Sequence, residues 1–149
     1  MFPHSTGAPK SRPILGTYVD FGIERYQRTR VTIAQINAGF TLLPALPGVR
    51  WRLTDWTMVA VGGAVAAATD VRILGTRAAA SVALAVTAVA ALGQSVVTRA
   101  GVSNAVVLAD NASFTQLDVN TAITCGKTGS TATTATHVDI ILRYVADPA

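Results

Sequence analysis

From Arg30 onward, apolar residues alternate or fall in short runs cut by turn residues, a pattern that predicts β-strands. Val31–Ile36 reads as a short strand ended by Asn37-Ala38-Gly39. Phe40–Leu46 reads as a second, and Pro44 and Pro47 mark it as edge or irregular. Pro47-Gly48 is a turn. Val49–Val61 reads as one long strand with a change of parity inside it. Trp51 and Leu53 share one face, while Trp56, Met58 and Ala60 fall on the other parity, so a β-bulge is predicted near Thr54-Asp55. Gly62-Gly63 turns the chain. Asp70–Leu74 alternates Val71 and Ile73 inward with Asp70 and Arg72 outward, and Gly75 is expected to end that strand.

Ser81–Leu92 is alanine-rich, which favours helix, yet Val82, Leu84 and Val86 alternate with Ala83 and Ala85. A strand is predicted there, with a helical turn around Val89–Leu92 as the other option. Shorter strands are predicted at Ser95–Thr98, Ala105–Leu108, Ser113–Asp118 and Ala122–Cys125. Thr128–Thr136 is a loop or the tip of a β-hairpin, because it holds only glycine, serine, threonine and alanine. Val138–Val145 is the clearest strand. Val138, Ile140, Leu142 and Tyr144 line one face, and Ile141 and Val145 on the other face imply that it too is partly covered. The expected fold is all-β: a jelly-roll-like β-sandwich over residues 29–149, with residues 1–28 as an extended N-terminal arm.

The arm reading rests on charge and proline. Pro3, Pro9 and Pro13 break helix, and Thr17–Ile23 offers a short strand or a docking segment. Residues 1–30 hold five basic residues (Lys10, Arg12, Arg25, Arg28 and Arg30) and two acids (Asp20 and Glu24), so +3 of the chain's net +4 lies there. The chain as a whole is sparing with charge, at 13% of residues against about 25% in ordinary domains, and its body more so. Such a body is expected to be covered by copies of itself or by a larger assembly. Nucleic acid is the weaker candidate partner, since no recognition helix or stacking pattern accompanies the basic residues. The most apolar window, Ala78–Leu92, is too short and too polar for a membrane span, and no membrane partner is expected. Met1 is followed by Phe2, Pro3 and His4, so no secretion signal is expected either.

Candidate chemistry is thin. Cys125 is the single cysteine, so no disulfide forms within the chain, and a buried inert thiol is its expected state. His4 and His137 are the two histidines, and nothing places them beside a carboxylate as metal ligands; no metal or cofactor is expected. Gly126-Lys127-Thr128 matches the end of a phosphate-binding loop, but Thr121 stands where the loop needs glycine, and a turn between strands is expected instead. The acids Asp55, Asp70, Asp110, Asp118 and Asp139 are scattered singly, without the converging pair of a glycosidase, and no enzymatic activity is expected. Trp51 and Trp56 are expected in core or interface packing, since their opposite parity argues against a shared sugar platform.

A series of segments carries a resemblance. They are Val31-Thr-Ile-Ala-Gln-Ile-Asn-Ala-Gly39, Leu42-Leu-Pro44, Asp55–Gly63, Ala90–Ser95, Arg99-Ala-Gly101, Gly126-Lys-Thr-Gly129 and Val138–Tyr144, spanning most of residues 31–145. Their order resembles small jelly-roll virion proteins of tailed bacteriophages. The resemblance implies a cement, or decoration, protein on the outer surface of the capsid, bound to the major capsid protein. It implies a homo-oligomer, a trimer first and a dimer second. Lys10, Arg12, Tyr18, Phe21, Arg25, Arg28 and Arg30 would then be capsid contacts, and Trp51, Trp56, Ile141 and Val145 self-association contacts. The alternative is a phage tail or fibre module of similar fold, binding a fibre partner or host glycan.

Overall fold

A computed structural model describes residues 12–14, 17–100 and 116–149. A small antiparallel hairpin comes first, β1 (Arg12–Ile14) with β2 (Thr17–Val19). Eight further strands follow: β3 (Glu24–Thr32), β4 (Phe40–Leu43), β5 (Val49–Val61), β6 (Val65–Arg77), β7 (Ala80–Ala88), β8 (Val97–Arg99), β9 (Ile123–Thr134) and β10 (His137–Pro148). One helix, α1 (Ile33–Ala38), joins β3 to β4, and a 3-10 turn (Val89–Ala91) follows β7.

The strands form two four-stranded antiparallel sheets, ordered β3-β10-β5-β8 and β4-β9-β6-β7. The pairing is nested: first with last (β3 with β10), then β4 with β9, β5 with β8 and β6 with β7. Among the described strands of these two sheets, only β6 and β7 are consecutive within one sheet. Two sheets wound in this way are a jelly-roll β-sandwich, the expected architecture. The hydrophobic core lies between them. Val31, Leu53, Met58, Val138, Ile140 and Leu142 come from the first sheet, and Val71, Ile73, Leu84 and Ile123 from the second, all buried. Each large aliphatic side chain so buried contributes about 1.5–3 kcal/mol.

The predicted bulge is present in β5. Asp55 pairs with Arg143 and Leu53 with Tyr144, so Thr54 is the extra residue and the parity resets across it. Trp51, Leu53, Trp56 and Met58 therefore all point into the core. β4 is an edge strand, and it stops at Leu43, just before Pro44, so the expected strand is shortened and residues 44–46 are irregular. Ala80–Ala88 is a strand with the helical turn after it. Of the two readings of residues 128–136, the hairpin is the observed one, since β9 runs to Thr134 before turning into β10.

Several expectations are corrected. Val31–Ile36 is not one strand: β3 ends at Thr32, and Ile33 begins the helix. The Thr32 side chain accepts from the Gln35 backbone N–H at 3.2 Å, and the Gln35 side chain accepts from the Thr32 N–H at 2.8 Å. This capping box overrides the β-branched composition. Ile36 then buries beneath the helix, and Asn37 clamps it to β9 through two hydrogen bonds with the Ala132 backbone. Gly75 does not end β6; the strand runs on to Arg77. Gly75 is a packing glycine, because a Cβ there would stand 2.6 Å from Leu117 Cδ1. Gly126-Lys127-Thr128 lies inside β9 rather than in a turn. The first sheet begins at Glu24, so the expected boundary between residues 28 and 29 falls within β3. Ala105–Leu108 lies outside the described residues, as does 113–115; Gln116–Asp118 is irregular.

Candidate functional site

The outer face of the first sheet gathers most of the arginines. β3 alternates Tyr26, Arg28 and Arg30 outward with Gln27, Thr29 and Val31 inward, and strand pairing extends that alternation into rows. One row is Arg30, Asp139, Val59 and Val97. The next is Arg28, Ile141, Thr57 and Arg99, and the third is Tyr26, Arg143 and Asp55. Exposure is high where contact would be made: 58% and 66% for the Arg28 and Arg30 side chains, 62% for Tyr26 and 57% for Val97. Arg99 and Arg143 are exposed as well.

Asp139 anchors the face. It is 5% exposed, and its Oδ2 accepts from Arg28 Nη2. Arg30 Nε stands 3.6 Å from Oδ1, and His137 Nε2 3.7 Å from the same oxygen. The Arg28 hydrogen bond outweighs the cost of burial and holds the Asp139 carboxyl below the usual carboxylate range, with the Arg28, His137 and Arg30 charges adding to it. One carboxylate thus serves two guanidinium groups. Neither Asp139 Oδ1 nor His137 Nε2 has a hydrogen-bond partner. Further along, Arg52 pairs with Asp147 at 2.9 and 3.3 Å.

The opposite face of the sandwich is chemically different. Its outward residues include Thr124, Gly126 and Thr128 of β9, Leu74 of β6 and Val86 of β7, with one ion pair, Asp70 to Arg72, at 2.8 Å for both bonds. The two faces therefore differ in the chemistry they offer a partner, and arginine marks the first.

The expected contact residues scatter. Lys10 lies outside the described residues. Arg12 and Tyr18 fall in the β1–β2 hairpin. Phe21 is half-buried against the core, and Arg25 pairs with Asp20 at 2.6 Å. Arg28 and Arg30 belong to the body sheet and come together over Asp139. The expected self-association set needs correction. Trp51 and Trp56 are each 5% exposed, and both belong to the core cluster. Trp51 donates to the Pro44 carbonyl at 2.9 Å and packs edge-on against Tyr144, so neither indole offers surface to a second copy. Val145 is also buried, leaving Ile141 half-exposed between Arg28 and Thr57. Tyr26, Arg99, Arg143 and Asp139 were missing from the sequence-based set. The alternation of Tyr26, Arg28 and Arg30 is the signal that could have found the face.

Every described carboxylate has a structural partner. Asp20 pairs with Arg25, Glu24 accepts from Thr54, Asp55 accepts from the Trp56 N–H, and Asp118 accepts from the Ala78 and Ala79 N–H groups. Asp70, Asp139 and Asp147 pair with arginines. Burial pushes the Cys125 thiol up to about 11, so it is not a thiolate at neutral pH. Among the described residues, no three His, Cys, Asp or Glu converge as metal ligands, and no helix is long and apolar enough to cross a membrane.

Comparison with protein-family models, curated proteins and solved structures finds no match to this chain. Strand order and site chemistry alone therefore define its class: a jelly-roll β-sandwich with one arginine-bearing sheet face.

Proposed function

We propose that the chain is a structural attachment protein, a cement or decoration protein that binds the outside of a tailed-phage head. The observation that carries this reading is the outer face of the β3-β10-β5-β8 sheet, where exposed Arg28, Arg30, Arg99 and Arg143 share one surface with exposed Tyr26 and Val97. Arginine and tyrosine dominate the energetics of many protein interfaces. The planar guanidinium also meets carboxylates in a two-point geometry that lysine cannot match. Acidic groups on the major capsid protein are the proposed counterpart.

A single exposed ion pair is worth about 0–1 kcal/mol, so one copy holds weakly through charge alone. Self-association of the body, as a trimer or a dimer, multiplies such contacts into stable binding. The N-terminal segment with Lys10 and Arg12 adds a further contact. The test is sedimentation of the protein with undecorated heads and, separately, with purified tails, across a range of salt. Saturable binding to heads that weakens with salt supports the reading. Binding to tails alone would transfer the protein to the tail or fibre class.

A further inference from the structure

We propose that the outer edge of β3 receives an extended acidic segment of the partner by strand addition, so that the partner becomes a fifth strand of the first sheet. The proposal deepens the attachment reading above and rests on it.

β3 is a terminal strand of its sheet, nine residues long, and among the described residues its one strand partner is β10. In an antiparallel pair, alternate residues of an edge strand turn their N–H and C=O away from the neighbour. Among the described residues, nothing pairs with that outer edge along Glu24–Thr32. Such an edge is a template for another chain unless it is blocked. β3 contains no proline and no bulge against β10; its register is continuous from Glu24 opposite Val145 to Thr32 opposite His137. Among the described residues the strand is thus geometrically open.

Charge decides what can use it. β3 carries Arg25, Arg28 and Arg30 against Glu24 alone. Two copies meeting edge to edge would bring like charges together, which is destabilising for directly opposed residues. The edge therefore disfavours a second copy of itself. An added strand with acids at alternate positions would set them beside Arg28 and Arg30 on the outer face. These two arginines share one carboxylate, Asp139, and so retain unneutralised positive charge. The chain's own acids, eight in all and scattered singly, supply no such strand, which makes the occupant a segment of another protein. Backbone bonds would give the affinity and the arginine row the preference for acids, as in strand-addition recognition generally.

The experiment uses the full chain and a synthetic peptide as long as β3, nine residues, that alternates glutamate with valine and threonine. A second peptide has the same side chains but is N-methylated along one backbone edge, and a third carries lysine for glutamate. Fluorescence anisotropy gives affinity, and hydrogen exchange reads the β3 amides. The proposal expects the acidic peptide to bind and the lysine peptide not to. It expects N-methylation to weaken binding by about tenfold or more, since several backbone hydrogen bonds are lost. It also expects outward β3 amides to exchange more slowly when the acidic peptide is bound. Equal binding of the acidic and N-methylated peptides would overturn strand addition, while leaving the arginine face as an attachment surface. No peptide binding by protein that still decorates heads would overturn it as well. Loss of head binding too would sink the attachment reading with it.

Discussion

Arg28 of β3 reaches diagonally across the ladder to Asp139 of β10, whose direct cross-strand neighbour is Arg30. This link ties the edge strand to the centre of the sheet across 111 residues of sequence. Its strength depends on pH. Asp139 titrates lower in the folded protein than in the unfolded chain, so its contribution is fully present above the unfolded carboxylate value, about 3.9. It is lost as pH falls through the folded value. Asp70 behaves alike: burial opposes ionisation there, but the bonds from Arg72 and Thr128 together outweigh it. Thermal unfolding followed from pH 7 to pH 2 should show stability falling below about pH 4. Asp139→Asn should lower the melting temperature at pH 7 and flatten the acid limb.

Trp51 provides a check on the core assignment. Trp51→Ala should cost about 3–5 kcal/mol by leaving a large cavity. Trp51→Phe should cost about 1 kcal/mol or somewhat more, through loss of the bond to the Pro44 carbonyl together with some packing. Sedimentation of folded Trp51→Phe should show the same oligomeric state as the parent, because the indole is turned inward.

The β6–β7 turn holds avoidable strain. Ala78 and Ala79 sit at φ 51° and 61°, the left-handed region that suits Asn and Gly. The Asp118 carboxylate holds the turn, accepting from both backbone N–H groups at 3.0 and 2.8 Å. Ala79→Gly should raise stability by about 1 kcal/mol, or about 2–4 °C in melting temperature. Asp118→Ala should lower the melting temperature.

Thr32 is the residue that turns a strand into a helix. Thr32→Ala should cost about 1 kcal/mol, since it removes the side-chain acceptor for the Gln35 N–H. Increased exchange of the α1 amides, with the sheet amides unchanged, would show that the loss is local.

Much of the fold was legible because one face of each long strand is apolar. The parity switch between Leu53 and Trp56 revealed the bulge at Thr54, and the alternation from Val138 to Tyr144 marked one of the two central strands of the first sheet. Residues 24–30 were harder to read. The inward residues Gln27 and Thr29 are polar, because they lie at a corner where Gln27 donates to the Leu42 carbonyl of β4. A strand polar on both faces gives no hydrophobic period, so its arginines looked like part of the arm. The Thr32–Gln35 capping box was present in the sequence but masked by β-branched neighbours. The sharing of Asp139 by Arg28 and Arg30 depends on the register of β3 against β10, which local pattern does not encode.

The central claim is that the arginine-bearing face makes the attachment, and changing the charge at two of its exposed residues tests it most directly. Among the described residues, Arg99 and Arg143 are exposed and pair with no carboxylate, and Arg143 stands opposite Asp55, so Arg99→Glu/Arg143→Gln, which sets no like charge against Asp55, should leave the melting temperature nearly unchanged. Binding of this variant and of the parent to undecorated heads would be compared by sedimentation at low salt. The account predicts that the variant, still folded, loses head binding by about tenfold or more, in line with the cost of opposed like charges. Equal binding by the two proteins would contradict it.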